Sequence, residues 1–362
     1  MFSFVEAHLA EIWLDHDSTA LYIYLFLMNS YPSPVRVGIA GATGYAGQEL
    51  VALLARHPHA KLTAAMSSSP DSAARPLPRL ARIWDGKVEP LNTDKLATTT
   101  DLVFLAVPEK AASELAPPLL AAGRRVIDLS GAFRIRDASA RSHWYPATAS
   151  LPPGVAYGLT EHNRPEVEKA TLIANPGCYP TGALLALLPL AKAGLLKADA
   201  GVIVDAKSGL SGAGRAATDR THFSENHGSV AAYNIFGHRH VAEMEQELGA
   251  TITFVPHLVP LDRGILETIY VHVQSGTTPE MVSEVFSQAY AHEPFIRLTS
   301  DALPEIKHVA WTNFCDIGWK LDAPTSRLVL VACLDNLVKG AAGQALQNFN
   351  VACGFEERTA LL

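Results

Sequence analysis

Cysteine is scarce in this chain: four in 362 residues, at 178, 315, 333 and 353. They form no Cys-x-x-Cys pair and no zinc-ligand spacing, which excludes a disulfide framework and points to a reducing, cytoplasmic compartment. Basic residues are also few, 29 Lys and Arg against 36 Asp and Glu for a net charge of -7. They are scattered, so nothing builds the basic stripe that nucleic-acid binding needs, and a small-molecule partner is expected instead. The longest apolar run near the start, residues 20–28, is about half of the roughly 20 residues that span a bilayer, so no membrane partner is expected. The basic start of a signal peptide is missing too, because Glu6, Glu11, Asp15 and Asp17 precede the first basic residue, Arg36. With Met28 just upstream of the first recognisable element, residues 1–34 read as an N-terminal extension, of which 1–27 are expected to be dispensable or a mis-called start.

With 48% hydrophobic residues, a chain of this length buries a large core and divides into two domains. The run Val-Arg-Val-Gly-Ile-Ala at 35–40 is β-rich, Leu50, Leu53 and Leu54 recur at helical spacing, and residues 61–65 return to strand. Between that strand and helix lie Gly41, Gly44 and Gly47, which let a backbone turn tightly and approach a pyrophosphate at a helix N-terminus. The spacing is GxxGxxG, which a plain tight turn would also explain. The acidic residue that binds the ribose of NAD at the end of the second strand is absent. Ser67, Ser68 and Ser69 stand there, either as hydroxyl donors to the 2′-phosphate of NADP with Arg75 as counter-charge, or as a solvated loop. Residues 101–107 and 125–129 read as further parallel strands, and their ends at Pro108 and Ser130 are expected to border the cofactor.

Cys178 precedes a strongly apolar helical run, and a helix N-terminus favours the thiolate that a nucleophilic cysteine needs. A packed thiol is the equal alternative on that fragment alone. His238 and His240 offer an acid-base partner, with Glu243 able to orient one of them. A His-x-His metal pair lacks further ligands at a matching spacing, so no metal is expected. The glycine- and serine-rich segment 205–215, ending in Arg215, suits an anion through backbone N–H donors and a guanidinium, or is a flexible loop. Arg134 is either a second anion-binding arginine or a solvated charge.

Taken together, these residues resemble the N-acetyl-gamma-glutamyl-phosphate reductases, the arginine-pathway relatives of aspartate-semialdehyde dehydrogenase. The resemblance covers nearly everything from Val35 onward. Besides the glycine loop it rests on Ser-Gly-Ala-Phe-Arg at 130–134, Tyr-Gly-Leu-Thr-Glu at 157–161, Pro-Gly-Cys-Tyr-Pro-Thr at 176–181 and the 208–215 loop. Ala-Tyr-Asn-Ile at 232–235, His-Arg-His at 238–240, residues 256–266 and Asp-Asn-Leu-Val-Lys-Gly at 335–340 complete it. Ala132 and Thr160 depart from it, where many members have Asp and Pro. It implies Cys178 as nucleophile, His240 as acid-base, and substrate-facing roles for Arg134, His238, Ser208 and Gly209. It also implies NADP contacts from Thr43, Gly44, Tyr45, Ala46, the serine loop and Asn336.

The expected fold class is α/β: a Rossmann-type doubly wound domain over 35–177, completed by a C-terminal helix over 335–362, plus an α+β catalytic and oligomerisation domain with a mixed sheet over 178–334. The expected reaction is NADPH-dependent reduction of an acyl phosphate through a cysteinyl thioester, in a homo-oligomer of two or four chains. Three rivals stay open: a reductase of aspartyl phosphate or of a carrier-linked aminoadipyl or glutamyl phosphate, a cysteine hydrolase or acyltransferase, and a non-enzymatic NADP sensor.

Overall fold

The computed structural model describes residues 33–148, 150–299 and 302–362, so the expectation for residues 1–27 lies outside the described residues. The first sheet has six parallel strands: β1 (Val35–Ala40), β2 (Ala60–Met66), β5 (Leu102–Leu105), β6 (Arg125–Asp128), β7 (Val155–Tyr157) and β8 (Leu172–Ala174). Their order is β2-β1-β5-β6-β8-β7. The strands are near-continuously apolar because helices cover both faces of a parallel sheet. Among them are α1 (Tyr45–Ala55), α2 (Thr93–Thr99), α3 (Glu109–Ala121) and α4 (Thr160–Lys169). A two-stranded ribbon, β3 (Arg75–Pro76) with β4 (Lys87–Val88), follows β2. All six strands run the same way, and the crossovers leave β1 in opposite directions at its boundary with β5. A crevice therefore opens at the C-terminal ends of β1 and β5, where open α/β sheets bind their ligands.

From the end of β8 the chain enters α5 (Cys178–Lys192) and then a second sheet. Its strands are β9 (Val202–Gly209), β10 (Ala231–Ala232), β11 (Ile252–Val259), β12 (Ile265–His272), β13 (Ile296–Thr299), β14 (Cys315–Asp322) and β15 (Arg327–Leu334). The order is β10-β11-β9-β12-β15-β14-β13, mixed in direction. Helix α5 is apolar on nearly all sides and buried from Tyr179 to Leu190, as a helix lodged between two layers must be. It shares a core with β9, β11, β12 and β15, together with α6 (His240–Leu248) and α7 (Pro279–Tyr290). Helix α7 starts where Thr278 caps it, accepting from Met281 N at 3.3 Å, with Pro279 in the first turn.

The C-terminal segment is not one helix over 335–362. The Asp335 carboxylate accepts from the N–H groups of Leu337 and Val338, a π-helical turn spans Val338–Ala342, and only α8 (Gly343–Ala352) is a regular α-helix. Leu346 and Phe349 of α8 pack with Leu50, Leu54, Phe104 and Ile127 in the core of the first sheet. The polar side of the segment is buried as well: Lys339 Nζ meets Glu161 Oε1 at 2.5 Å, both side chains fully enclosed, and Gln347 bonds to both. Thr160, one of the two departures noted above, donates to Asn348 and accepts from Gln344. It thereby joins α4 to the chain's C-terminal helix.

Candidate active site

A cleft of about 800 Å³ lies at the C-terminal ends of β1, β5 and β6, closed on its far side by residues 211–216 after β9. Its floor is the glycine loop. Gly41 has φ +91°, and a Cβ there would stand 2.1 Å from the Ala106 carbonyl oxygen; one on Gly47 would stand 2.1 Å from Gly41 O. Side chains are thus excluded where backbone must reach a ligand, and α1 begins at once with its N–H groups facing the cleft. This cradle fits a dinucleotide pyrophosphate. Gly41, Thr43, Gly44, Tyr45, Ala46 and Gly47 all line the cleft, as do Pro108 and Ser130 further along. Of the serine loop only Ser68 does, opposite Arg75. Ser67 is turned inward, bonded to Ser69 O and the Ser72 hydroxyl. The Ser130 hydroxyl is also committed, donating to buried Asp128 at 2.8 Å, whose own pKa burial raises to about 6.

At the other end of the same cleft stands Cys178. It is the first residue of α5, reached directly from β8, so a parallel strand delivers it to the ligand edge of the sheet. Gly340 packs against it so closely that a Cβ would lie 2.8 Å from Cys178 Cβ. The surroundings raise the thiol rather than lower it: burial pushes its pKa up to about 12, against the Arg134 charge and a bond from Tyr179 N that pull it down. The thiolate expected at a helix N-terminus is therefore disfavoured, because desolvation outweighs the Arg134 charge and the bond from Tyr179 N.

His240, the first residue of α6, stands beside the turn that precedes Cys178. Its Nε2 would be 2.5 Å from a Cβ on Gly177, the residue before the cysteine, and its Nδ1 is buried without a partner among the described residues. Burial, then His238 and Arg134, hold its pKa well below the usual imidazole value, so the ring is neutral. His238 is also neutral, lowered to about 4 chiefly by burial. Its Nδ1 accepts from His240 N at 3.2 Å, and its ring lines an adjoining cavity instead of the cysteine cleft.

Arg134 is a fixed, 6% exposed charge and not a solvated one. It donates to Asn175 O and Leu129 O at 2.8 and 2.9 Å, and to Glu243 at 3.2 Å, with His240 Nε2 3.5 Å away. Glu243 differs from its expected role. Instead of orienting a histidine, it takes Arg134, the Tyr157 hydroxyl at 2.7 Å and Gly177 N at 2.8 Å, so one carboxylate holds the backbone before the nucleophile. The i, i+3 spacing from His240 shows only that both share a helix face. Which groups meet that face is set by β7, β8 and the 129–134 loop.

The anion loop is rearranged relative to expectation. Ser208 and Gly209 do not line the cleft; Ser208 is buried with its hydroxyl on Gly209 O, and a Cβ on Gly209 would strike the Arg263 backbone at 2.7 Å. They precede Ser211, Gly212 and Gly214, which do line it. Arg215 lines the cleft but reaches the dinucleotide end, donating to Thr43 O at 2.7 Å. Asn336 lines it as well, while its amide holds Gly264 N and Ser211 Oγ. Among the described residues no three His, Cys, Asp or Glu side chains are grouped to hold a metal ion, and no helix is long and apolar enough to cross a membrane.

A nucleotide cradle, a helix-end cysteine and a neutral histidine on one cleft mark an oxidoreductase of the dehydrogenase class. The chain matches two family models: the semialdehyde dehydrogenase NAD binding domain over residues 36–170 and the semialdehyde dehydrogenase dimerisation domain over 178–336. Its fold is that of aspartate semialdehyde dehydrogenase II from Vibrio cholerae, at TM-score 0.69 and 18% identity over 89% of this chain and 99% of that one. The Candida albicans aspartate semialdehyde dehydrogenase with NADP gives 0.66 and 16%, over 88% and 98%. Sequence relatives are much nearer. N-acetyl-gamma-glutamyl-phosphate reductase of Brevibacillus brevis is 44% identical over 90% of this chain and 98% of its own length, and that of Desulforapulum autotrophicum 45% over the same shares. The chain belongs to the N-acetyl-gamma-glutamyl-phosphate reductase family of the semialdehyde dehydrogenases.

Proposed function

We propose that this chain reduces N-acetyl-gamma-glutamyl phosphate to N-acetylglutamate 5-semialdehyde and phosphate with NADPH, a step of arginine biosynthesis. The observation that carries the reading is that Cys178, His240 and Arg134 share one cleft with the glycine cradle. Ser68 and Arg75 on that cleft, where β2 ends in Met66 and serines follow instead of an acidic residue, favour NADP over NAD. NADPH held there supplies the hydride.

Neutral His240 takes the proton of the Cys178 thiol as sulfur attacks the γ-carbonyl carbon. The bond from that carbon to the phosphate oxygen breaks, phosphate leaves, and a thioester remains on Cys178. Arg134, held on three sides, offers a fixed positive charge where negative charge develops, without the reorganisation that water would need. Once the thioester carbon is reduced, the carbon–sulfur bond breaks. His240 then returns its proton to sulfur and the semialdehyde is released. His238 fixes His240 through its backbone, and Glu243 fixes Arg134 and Gly177. The four cysteines among the described residues are free, which suits a thiol enzyme of the reducing cytoplasm.

The chain is further proposed to act as a homo-oligomer of two or four copies. Ile203 and Tyr270, register partners on adjacent central strands of the second sheet, are each 43% exposed, and the matched dimerisation domain covers that sheet. The test of the activity is the reverse reaction: purified protein with N-acetylglutamate 5-semialdehyde, NADP and phosphate should form NADPH in a phosphate-dependent way. Activity with aspartate semialdehyde and none with the acetylated substrate would overturn the assignment. NADPH-independent thioester or ester hydrolysis would favour a hydrolase.

A further inference from the structure

A second cavity of about 470 Å³ adjoins the cysteine cleft. Gly212 and Arg239 line both, so the two spaces meet at that seam. The dinucleotide cradle lies at the opposite end of the main cleft, and none of the residues assigned to it lines this second cavity. Its charge is one-sided: the lining holds two guanidiniums, Arg220 and Arg239, and no carboxylate. Neither guanidinium has an ion-pair partner among the described residues. Each instead lies over an aromatic ring, Arg220 5.4 Å from the Tyr233 centroid and Arg239 5.7 Å from that of Tyr145. Such stacking orients a guanidinium while leaving its N–H edge free for an anion.

This wall connects to the nucleophile through a short relay of packed groups. The Tyr233 hydroxyl is 3.3 Å from that of Tyr179, the residue after Cys178, and the His238 ring meets both tyrosines edge-on. The backbone here is held in an unfavourable shape, with Asn234 at φ +45° and Phe236 at φ +58°, left-handed conformations that cost side-chain-bearing residues free energy and persist where a site demands them. Trp144 and Leu258 supply apolar surface in the same lining.

We infer that this second cavity binds the α-carboxylate and acetamido end of the substrate, with Arg220 and Arg239 holding the carboxylate and Trp144 and Leu258 meeting the acetyl methyl. The inference rests on the reaction proposed above, whose substrate carries an anionic group and a small apolar group at the end away from the reacting carbon. It makes Arg220 and Arg239 specificity-determining residues, with no part in the bond-making steps.

Steady-state kinetics of the reverse reaction test it on the full chain, comparing wild type with Arg220→Ala and Arg239→Ala, both exposed positions whose change spares the core. Each variant should raise KM for N-acetylglutamate 5-semialdehyde by roughly ten- to hundredfold, the worth of one charge-assisted contact. KM for phosphate and NADP should stay put in both variants, and kcat of Arg220→Ala should remain within about threefold of wild type, as for lost uniform binding. The α-methyl ester of the semialdehyde should be a poor substrate for wild type, and the variants should show little further loss on it. An unchanged semialdehyde KM, a raised phosphate KM, or equal losses on acid and ester in fully active protein overturn the inference alone. Wild type that forms no NADPH from the semialdehyde overturns the functional reading and this inference with it.

Discussion

Replacing Glu243 by Gln probes the architecture behind the nucleophile, because this carboxylate serves three partners at once. Its Oε1 accepts from the Tyr157 hydroxyl and Gly177 N, and its Oε2 from Arg134 Nη1. Gln retains one carbonyl oxygen for the first two but turns an N–H₂ group toward Arg134, donor against donor. With Arg134 6% and Glu243 0% exposed, the guanidinium is then buried without its counter-charge. Breaking such a pair from one side costs about 3–5 kcal/mol. Urea unfolding followed by circular dichroism should register that loss, and kcat/KM in the reverse assay should fall by about a hundredfold or more as Arg134 shifts. The double variant Glu243→Gln, Arg134→Met removes the orphaned charge, so its stability loss should be smaller than the sum of the singles by about 2 kcal/mol. A single-variant loss below about 1 kcal/mol, or strict additivity in the double, would refute the reasoning.

Further outcomes follow from the same geometry. Cys178→Ser should abolish phosphate-dependent NADPH formation while NADPH still binds by fluorescence titration; retained turnover rules out the thioester route. Gly41→Ala should weaken NADPH binding severely and destabilise the fold, since its Cβ meets Ala106 O at 2.1 Å and its φ of +91° disfavours side chains; unchanged affinity by calorimetry would contradict the cradle. Glu267 is wholly buried with neither carboxylate oxygen partnered among the described residues, and burial raises its pKa well above the usual 4.5. The folded state therefore holds a proton that the unfolded state releases above about pH 4.5, so this group's contribution to stability is full below that pH and declines as pH rises toward the folded value. Glu267→Met should remove that decline and be more stable than wild type near pH 8 by chemical denaturation; an unaltered pH slope refutes the assignment of a neutral buried acid.

Much of this molecule was legible from the chain. The β-rich run at 35–40 and the apolar runs at 101–107 and 125–129 located β1, β5 and β6, because burying both faces of a parallel sheet leaves its mark on local sequence. The glycine triplet, the absent acidic residue after β2 and the cysteine before an apolar helix likewise carry their chemistry locally. Charges and hydroxyls did not yield in this way. Ser67, Ser130 and Ser208 have the same composition as ligand-binding residues yet spend their hydroxyls inside the fold, Glu243 turns to Arg134 instead of a histidine, and Arg215 reaches the glycine loop.

Sequence by itself determined the type of element, the glycine turn after β1 and the cysteine at a helix start, because backbone conformation and hydrophobic period depend on near neighbours. Tertiary structure alone decided the ionisation and the partners. The Cys178 thiol is raised and the His240 imidazole lowered by burial, and Arg134 is held by Glu243 more than a hundred residues away in the chain; desolvation is a property of the assembled site that no local spacing encodes.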